Sequence, residues 1–211
     1  MIRPIPTPAK RNRIQPHSSM NNTIIAWTRQ APEVWDELQN TGTYYVREAY
    51  IRSKNGPISD YYLELYRWYT LRCRSYLAIP EGLSYPIWLA LTEEARLPPA
   101  ENTISLTLEV PSECLFIMDY DKWGYRVNHW YIAVDAEDER RYNEELKRCG
   151  IDNEALLIMT DKGNYYPMLR QKIIRSWDRL FAGPSANPDA NVGTVWEIKA
   201  DWVREVEIYG A

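Results

Sequence analysis

Histidine and phenylalanine are scarce in this chain of 211 residues, which contains two of each. Zinc enzymes and hydrolases with a histidine-based triad depend on histidine, and His17 and His129 alone offer such sites little. Three cysteines, Cys73, Cys114 and Cys149, lack the close spacing of a disulfide scaffold, which is typical of reduced thiols in the cytoplasm. The sequence also lacks a Walker loop, a GxGxxG motif, an EF-hand loop and any apolar run long enough to span a membrane. We therefore expect a cytoplasmic protein without a metal site.

The net charge of −4 and the pI of about 5.4 count against nucleic-acid binding, which usually requires a basic surface. Basic residues do gather near the start, at Arg3, Lys10, Arg11 and Arg13, in a proline-rich segment with no signal-peptide core. We interpret residues 1–22 as a flexible arm, with Met20 as a candidate natural start. An arm of this kind, together with exposed aromatic residues, keeps nucleic-acid binding as one hypothesis.

Tryptophan and tyrosine are abundant instead, with 9 and 16 residues. Their rings bury a large area and keep a polar atom, so they suit half-wet clefts and interfaces as well as cores. The composition alone leaves both interpretations open.

The order of predicted elements indicates an α+β fold for residues 23–211, which we expect to form one domain. Helices are predicted after Pro32 up to Gly42, in "SDYYLELYRWYTLRCRSYL", in the segment up to Gly150, and on both sides of a Gly-Asn break at Gly163. "RSKNGPISD" is expected to be a loop. Strands are predicted in "TIIAW", "PIWLALT", "ISLTLEVP", "CLFIMDYD" and "TVWEIKADWVREVEIY".

Polar residues occur where several of these strands begin or end. Thr28 and Gln30 follow the first apolar run, and Tyr85 precedes "PIWLALT", where it could stack on a flat ligand or simply lie on the rim of a sheet. Glu197 is expected within a late strand beside Trp196, where an alternating pattern also allows a solvated face.

Two acids, Asp119 and Asp121, occur in "IMDYDKWGYRVNHWYI". Paired carboxylates can hold a hard metal ion or transfer protons, and they can also cap the turn ahead of Trp123. We expect the structural role for both.

Four segments resemble an uncharacterised bacterial domain-of-unknown-function family of the 3841 type: "WTRQAPEVWDELQNTGTY", "YPIWLALT", "ISLTLEVPSECLFIMDYDKWGYRVNHWYI" and "VWEIKADWV". The motif with Asp119, Asp121, Trp123 and Asn128 is the most specific part of this resemblance.

The layout is also similar to ADP-ribosyltransferase-like folds, which implies a split β-sheet core with inserted helices. In that resemblance, Thr28 and Gln30 take the place of a His-x-Thr pair that binds NAD, and Glu197 is the catalytic acid. Tyr85, with Tyr44 or Tyr45, would stack on the nicotinamide ring. A carboxylate at this position would stabilise the ribosyl cation that forms as nicotinamide leaves.

The resemblance implies a mono-ADP-ribosyltransferase that uses NAD to modify a protein or nucleic acid. By the same resemblance, it implies a toxin of a toxin–antitoxin or phage-defence system, with a possible antitoxin partner. The alternative is a non-enzymatic binding module with a degenerate nucleotide cleft, since no histidine stands at Thr28.

Overall fold

The computed structural model describes residues 22–210 and combines helices with an antiparallel six-stranded sheet. The strands run in the order β5–β6–β3–β1–β4–β8, and every neighbouring pair is antiparallel. Their bounds are β1 Thr23–Gln30, β3 Ile87–Ala90, β4 Thr103–Pro111, β5 Phe116–Asp119, β6 Asn191–Val195 and β8 Val203–Tyr209. Two short strands, β2 Thr43–Tyr44 and β7 Ile198–Lys199, pair separately. The expected α+β class is confirmed at this level.

Residues 22–210 also form eight α-helices. They are α1 Pro32–Thr41, α2 Glu48–Asn55, α3 Ser59–Cys73, α4 Tyr120–Val127, α5 Ala136–Arg148, α6 Leu156–Met159, α7 Lys162–Tyr165 and α8 Pro167–Ser176. A 3₁₀ segment, Trp177–Phe181, continues α8. In the part of the chain that the structure describes, no helix has the length and apolarity needed to cross a bilayer.

Strands β5, β6 and β3 are buried on both faces, because successive side chains of a strand point to opposite sides and both sides are covered there. Ile87 and Leu89 of β3 enter one cluster, which also holds residues of α1, whereas Trp88 packs against the other cluster. This second cluster is formed with α3, α4, α5, α8 and the Trp177–Phe181 turn. The helices therefore stack on the β5–β6–β3 half of one face.

Tyr69 of α3 lies at the centre of this helical layer and is fully buried. Its ring stacks on Trp88 and Trp196, with centroids 6.0 and 5.9 Å away, and meets Trp123 edge-on at 5.3 Å. Its hydroxyl shares a 2.8 Å hydrogen bond with Thr194 of β6. Much of the abundant tyrosine and tryptophan is thus core, which favours the structural interpretation of the composition for these residues.

Several helix boundaries agree with their local signals. Helix α1 begins at Pro32 and ends before Gly42, whose φ of 79° lets its amide bond the carbonyl of Leu38. The predicted stop at Gly150 also has a left-handed φ, of 64°. The predicted arm, residues 1–22, lies outside the described residues except for Asn22, whose carbonyl accepts a hydrogen bond from the amide of Ser112.

Two expectations were wrong. The segment "RSKNGPISD" was predicted to be a loop, but its first residues complete α2, because Ile51 is buried and Arg52 pairs with Glu48 one turn earlier. Gly163 was predicted to break a helix and lies inside α7 instead. A Cβ at Gly163 would stand 2.0 Å from the carbonyl oxygen of Leu157, so close packing is the reason for glycine there.

Candidate functional site

Thr28 and Gln30, the residues expected to contact NAD, lie near the end of β1. Thr28 is buried beside Leu106 of β4. The Gln30 side-chain amide donates a 2.8 Å hydrogen bond to the Thr28 hydroxyl. The two polar groups therefore meet at the strand exit, but they bond each other.

The two tyrosines of the predicted cleft are largely engaged within the protein. Burial is the main cause that raises the pKa of Tyr44 to about 12. Tyr85 is also buried, and its hydroxyl donates to Glu48 at 3.0 Å and accepts from Arg67 at 2.8 Å. These bonds tie the start of β3 to α2 and α3.

The expectation that Glu197 lies within a strand was wrong. Strand β6 ends at Val195 and β7 begins at Ile198, because the chain turns here to insert the Trp196 ring into the core. The Glu197 carboxylate lies 3.4 Å from the Lys199 ammonium, and its side chain is 22% exposed. A cavity shared by Thr28, Gln30, Tyr44, Tyr85 and Glu197 stays a prediction.

The acidic motif is structural at Asp119, as expected. Its carboxylate accepts hydrogen bonds from the amides of Asp121 and Lys122 at 3.0 and 3.3 Å, and so caps the start of α4. Asp121 contributes its amide, while its own side chain is exposed. Within residues 22–210, no three His, Cys, Asp or Glu side chains are grouped to hold a metal ion.

A cavity of about 1040 Å³ opens beside the other end of α4. Helices α3 and α5, the end of α4 and the segment 152–159 line it, and it is open to solvent. Three flat rings line it, Tyr61, Tyr62 and Trp130. Its volume suffices for a ligand of nucleoside size, since small-molecule sites measure about 300–1,000 Å³.

The polar lining of this cavity consists mainly of amides and acids. Its polar side chains are Asn128, His129, Asn143, Asp152, Asn153 and Glu154. Side-chain amides both donate and accept hydrogen bonds, whereas carboxylates accept them. Among the described residues, no lysine or arginine lines the cavity.

His129 occupies a strained position at the end of α4. Its φ is 60°, the left-handed conformation that glycine usually supplies at this point of a helix. The strain in a non-glycine residue is of the kind that concentrates at functional sites. The amide of Trp130 bonds the carbonyl of Tyr125 at 2.8 Å, which closes the helix around His129.

The imidazole of His129 is partly buried. Its ring lies 5.2 Å from that of Tyr61 and 6.1 Å from that of Trp177, measured between centroids. Its Nδ1 is buried without a hydrogen-bond partner. Burial, helped by the neighbouring Arg126 cation, lowers the pKa of His129, so the ring is neutral near pH 7.

Arg126 stands behind His129 with its side chain between two indole rings. Its Cζ lies 4.0 Å from the centre of the Trp177 ring and 4.6 Å from that of Trp68. The residue is only 8% exposed, and its Nε and Nη1 are buried without hydrogen-bond partners. Burial is also the main cause that lowers the pKa of Arg126.

Glu154 forms an anchored acceptor on another wall of the cavity. Its Oε2 accepts hydrogen bonds from the Tyr131 amide at 3.1 Å and the Tyr142 hydroxyl at 2.5 Å. The rings of these two tyrosines stack with centroids 4.1 Å apart. Burial raises the pKa of the Glu154 carboxyl, although both hydrogen bonds lower it.

A family model described as "Domain of unknown function (DUF3841)" matches residues 25–204. The chain belongs to the DUF3841 family. This confirms the expected resemblance, and the family description states no activity. No curated protein and no solved structure matches the chain. The similarity of this DUF3841 domain to ADP-ribosyltransferases stays a prediction.

The cavity of the DUF3841 domain was only partly visible in its sequence. Asn128 and His129 belong to the motif that the sequence analysis singled out, but no role was assigned to His129. A histidine at the position where a glycine would end α4 is the signal that could have indicated strain. Arg126 and Glu154 carried no local signal, because tertiary contacts alone bury them.

Proposed function

We propose that this protein is a binding module for a flat, polar heterocycle such as a nucleobase or a nicotinamide ring, which enters the cavity beside α4. The observation that carries this proposal is the lining of the cavity, where Tyr61, Tyr62 and Trp130 accompany amides and carboxylates. Aromatic rings stack on every base, and amides and carboxylates bond base edges.

The charges that line the cavity favour an uncharged ring, rather than a phosphate, as the part of the ligand that enters the cavity. Phosphate recognition relies on arginine, lysine or helix N-termini, and the described lining contains neither cation. The acids Asp152 and Glu154 disfavour an anionic group. A charged or bulky remainder of the ligand would extend into solvent past the rim, where Ile58 and Met159 are exposed.

NAD is a natural candidate, because it carries two such rings. ADP-ribosyl transfer with Glu197 as the acid, a macromolecular target and a toxin with an antitoxin partner rest on the resemblance in layout alone. The α+β class is compatible with a split-sheet transferase. A cytoplasmic location is part of the proposal, supported by three free cysteines.

Binding is tested by calorimetry with adenosine, guanosine, cytidine, uridine, nicotinamide and NAD. We expect at least one to bind the wild type, and Trp130→Ala to weaken that binding by at least about tenfold, as loss of a stacking ring does. Tyr165→Ala is the matched control, because this ring is 81% exposed and does not line the cavity. Absence of binding at about 1 mM ligand, or undiminished binding by Trp130→Ala, would overturn the proposal.

Transfer is tested separately with labelled NAD and cell extract, and protein and RNA fractions are counted apart. Label that disappears in Glu197→Gln by a factor of about a hundred or more would support the transferase. Activity that survives Glu197→Gln would direct attention to Glu205 or Glu207. No label and no released nicotinamide would leave the binding module alone.

A further inference from the structure

We propose, building on the function proposed above, that Glu154 selects ligands with an N–H donor on the edge of the ring. The free oxygen of its carboxylate would accept that donor. The ligand class is then an amino- or lactam-bearing heterocycle, such as adenine, guanine or a carboxamide, as opposed to a ring whose edge carries acceptors only.

Two hydrogen-bond donors fix the orientation of the Glu154 carboxylate by bonding the same oxygen. The Tyr131 amide and the Tyr142 hydroxyl both bond Oε2. Oε1 has no hydrogen-bond partner among residues 22–210 and is not one of the buried unpaired atoms. Because Glu154 lines the cavity, this oxygen is the accessible acceptor of a fixed group.

The wall that holds Glu154 is itself rigid. The Tyr131 hydroxyl donates to Asp138 at 2.8 Å, and Arg179 pairs with the same carboxylate at 3.2 Å. Tyr142 is 1% exposed, so its hydroxyl cannot turn to water without leaving the core. An acceptor held in this way loses little freedom when a ligand binds, which makes its hydrogen bond selective.

An acceptor of this kind rejects ligands that offer no donor. A ring nitrogen placed against Oε1 would bring two lone pairs together and would leave the carboxylate without a partner. Adenosine presents an amino group on its edge, whereas purine riboside has the same rings without that amino group or any ring N–H. This pair of ligands isolates the interaction.

The experiment measures the affinities of adenosine and purine riboside for the full chain. We expect the wild type to prefer adenosine by at least about tenfold, the usual range for a bond to a charged group. Glu154→Gln keeps an oxygen for the two tyrosine donors and turns an NH₂ toward the cavity, so the preference should disappear or reverse. Asp161→Asn removes a charge from an exposed residue that does not line the cavity, and should keep the preference.

The outcomes separate this inference from the binding function. If no nucleoside binds the wild type, the binding function itself fails. If both ligands bind the wild type equally, or if Glu154→Gln keeps the preference for adenosine, the role of Glu154 is refuted. Should Glu154→Gln not fold, the double variant Glu154→Leu with Tyr142→Phe removes the acceptor together with its hydroxyl donor, and an adenosine preference that persists in it would refute the role equally.

Discussion

Arg126 allows the energetics of the site to be tested without knowledge of the ligand. The change is Arg126→Met, which keeps an unbranched apolar stem beside Trp68 and Trp177 and removes the charge. Two desolvated cation–π contacts stabilise the folded state by about 2 kcal/mol each. The two buried donors without partners, Nε and Nη1, cost about 1–3 kcal/mol each.

These opposing contributions nearly cancel, at about 4 kcal/mol on either side. Methionine makes favourable contacts with both indoles and carries no charge to desolvate. We therefore expect Arg126→Met to change the free energy of unfolding by less than about 1.5 kcal/mol, as for other buried charges replaced by apolar residues. Arg126→Ala, in contrast, opens a cavity and should cost about 2–5 kcal/mol.

Urea denaturation followed by tryptophan fluorescence measures both changes. A loss in Arg126→Met as large as that in Arg126→Ala would refute the reasoning, because the guanidinium would then contribute more than its ring contacts. The fold of each variant is checked by its far-UV circular dichroism.

The Arg126→Met variant also tests the electrostatic effect of Arg126 on the pKa of His129. Because the Arg126 cation helps to lower the pKa of His129, its removal should move that pKa back toward the ordinary 6.5. Because the pKa of His129 is lowered, the folded chain binds fewer protons than the unfolded chain, and His129 makes stability fall as the pH drops below 6.5. Arg126→Met should lose less stability than the wild type over that pH range. NMR titration measures the pKa of His129 directly, because the chain has only two histidine signals to assign. An unmoved His129 signal would contradict the coupling.

Three further changes have defined outcomes. Burial raises the pKa of the Glu154 carboxyl above its ordinary 4.5, so the contribution of Glu154 to stability should fall as the pH rises from about 4 to about 7. In urea denaturation, the free energy of unfolding of Glu154→Gln relative to that of the wild type should therefore be higher at about pH 7 than at about pH 4, and the same difference at both pH values would count against this contribution. Asp119→Ala should lower stability by about 1 kcal/mol in thermal melts, with or without a chelator, through loss of the α4 cap. Metal-dependent stability would contradict that role. Gly163→Ala should lower the free energy of unfolding by about 1–3 kcal/mol, because its Cβ would collide with the Leu157 carbonyl. An unchanged denaturation midpoint would contradict this, since the backbone would then have moved to accommodate the methyl group without loss of stability.

The sequence by itself was sufficient for features that depend on a few neighbouring residues. Pro32 and Gly42 mark the ends of α1 because one fixes φ and the other adopts a positive φ. The alternation in β4 follows from the period of a strand, and Asp119 caps α4 through amides two and three residues away. Each of these interactions is local, so the residues alone predict it.

The tertiary structure decided everything that depends on distant partners. The Tyr131 amide that bonds Glu154 is 23 residues away in sequence, and Trp68 and Trp177, which enclose Arg126, belong to different helical segments. Tyr85 and Glu197 were predicted to face a ligand, yet folding gave Tyr85 the partners Glu48 and Arg67, and gave Glu197 the partner Lys199. Burial and pairing set the charge and freedom of a side chain, and both are properties of the packed chain rather than of any short segment.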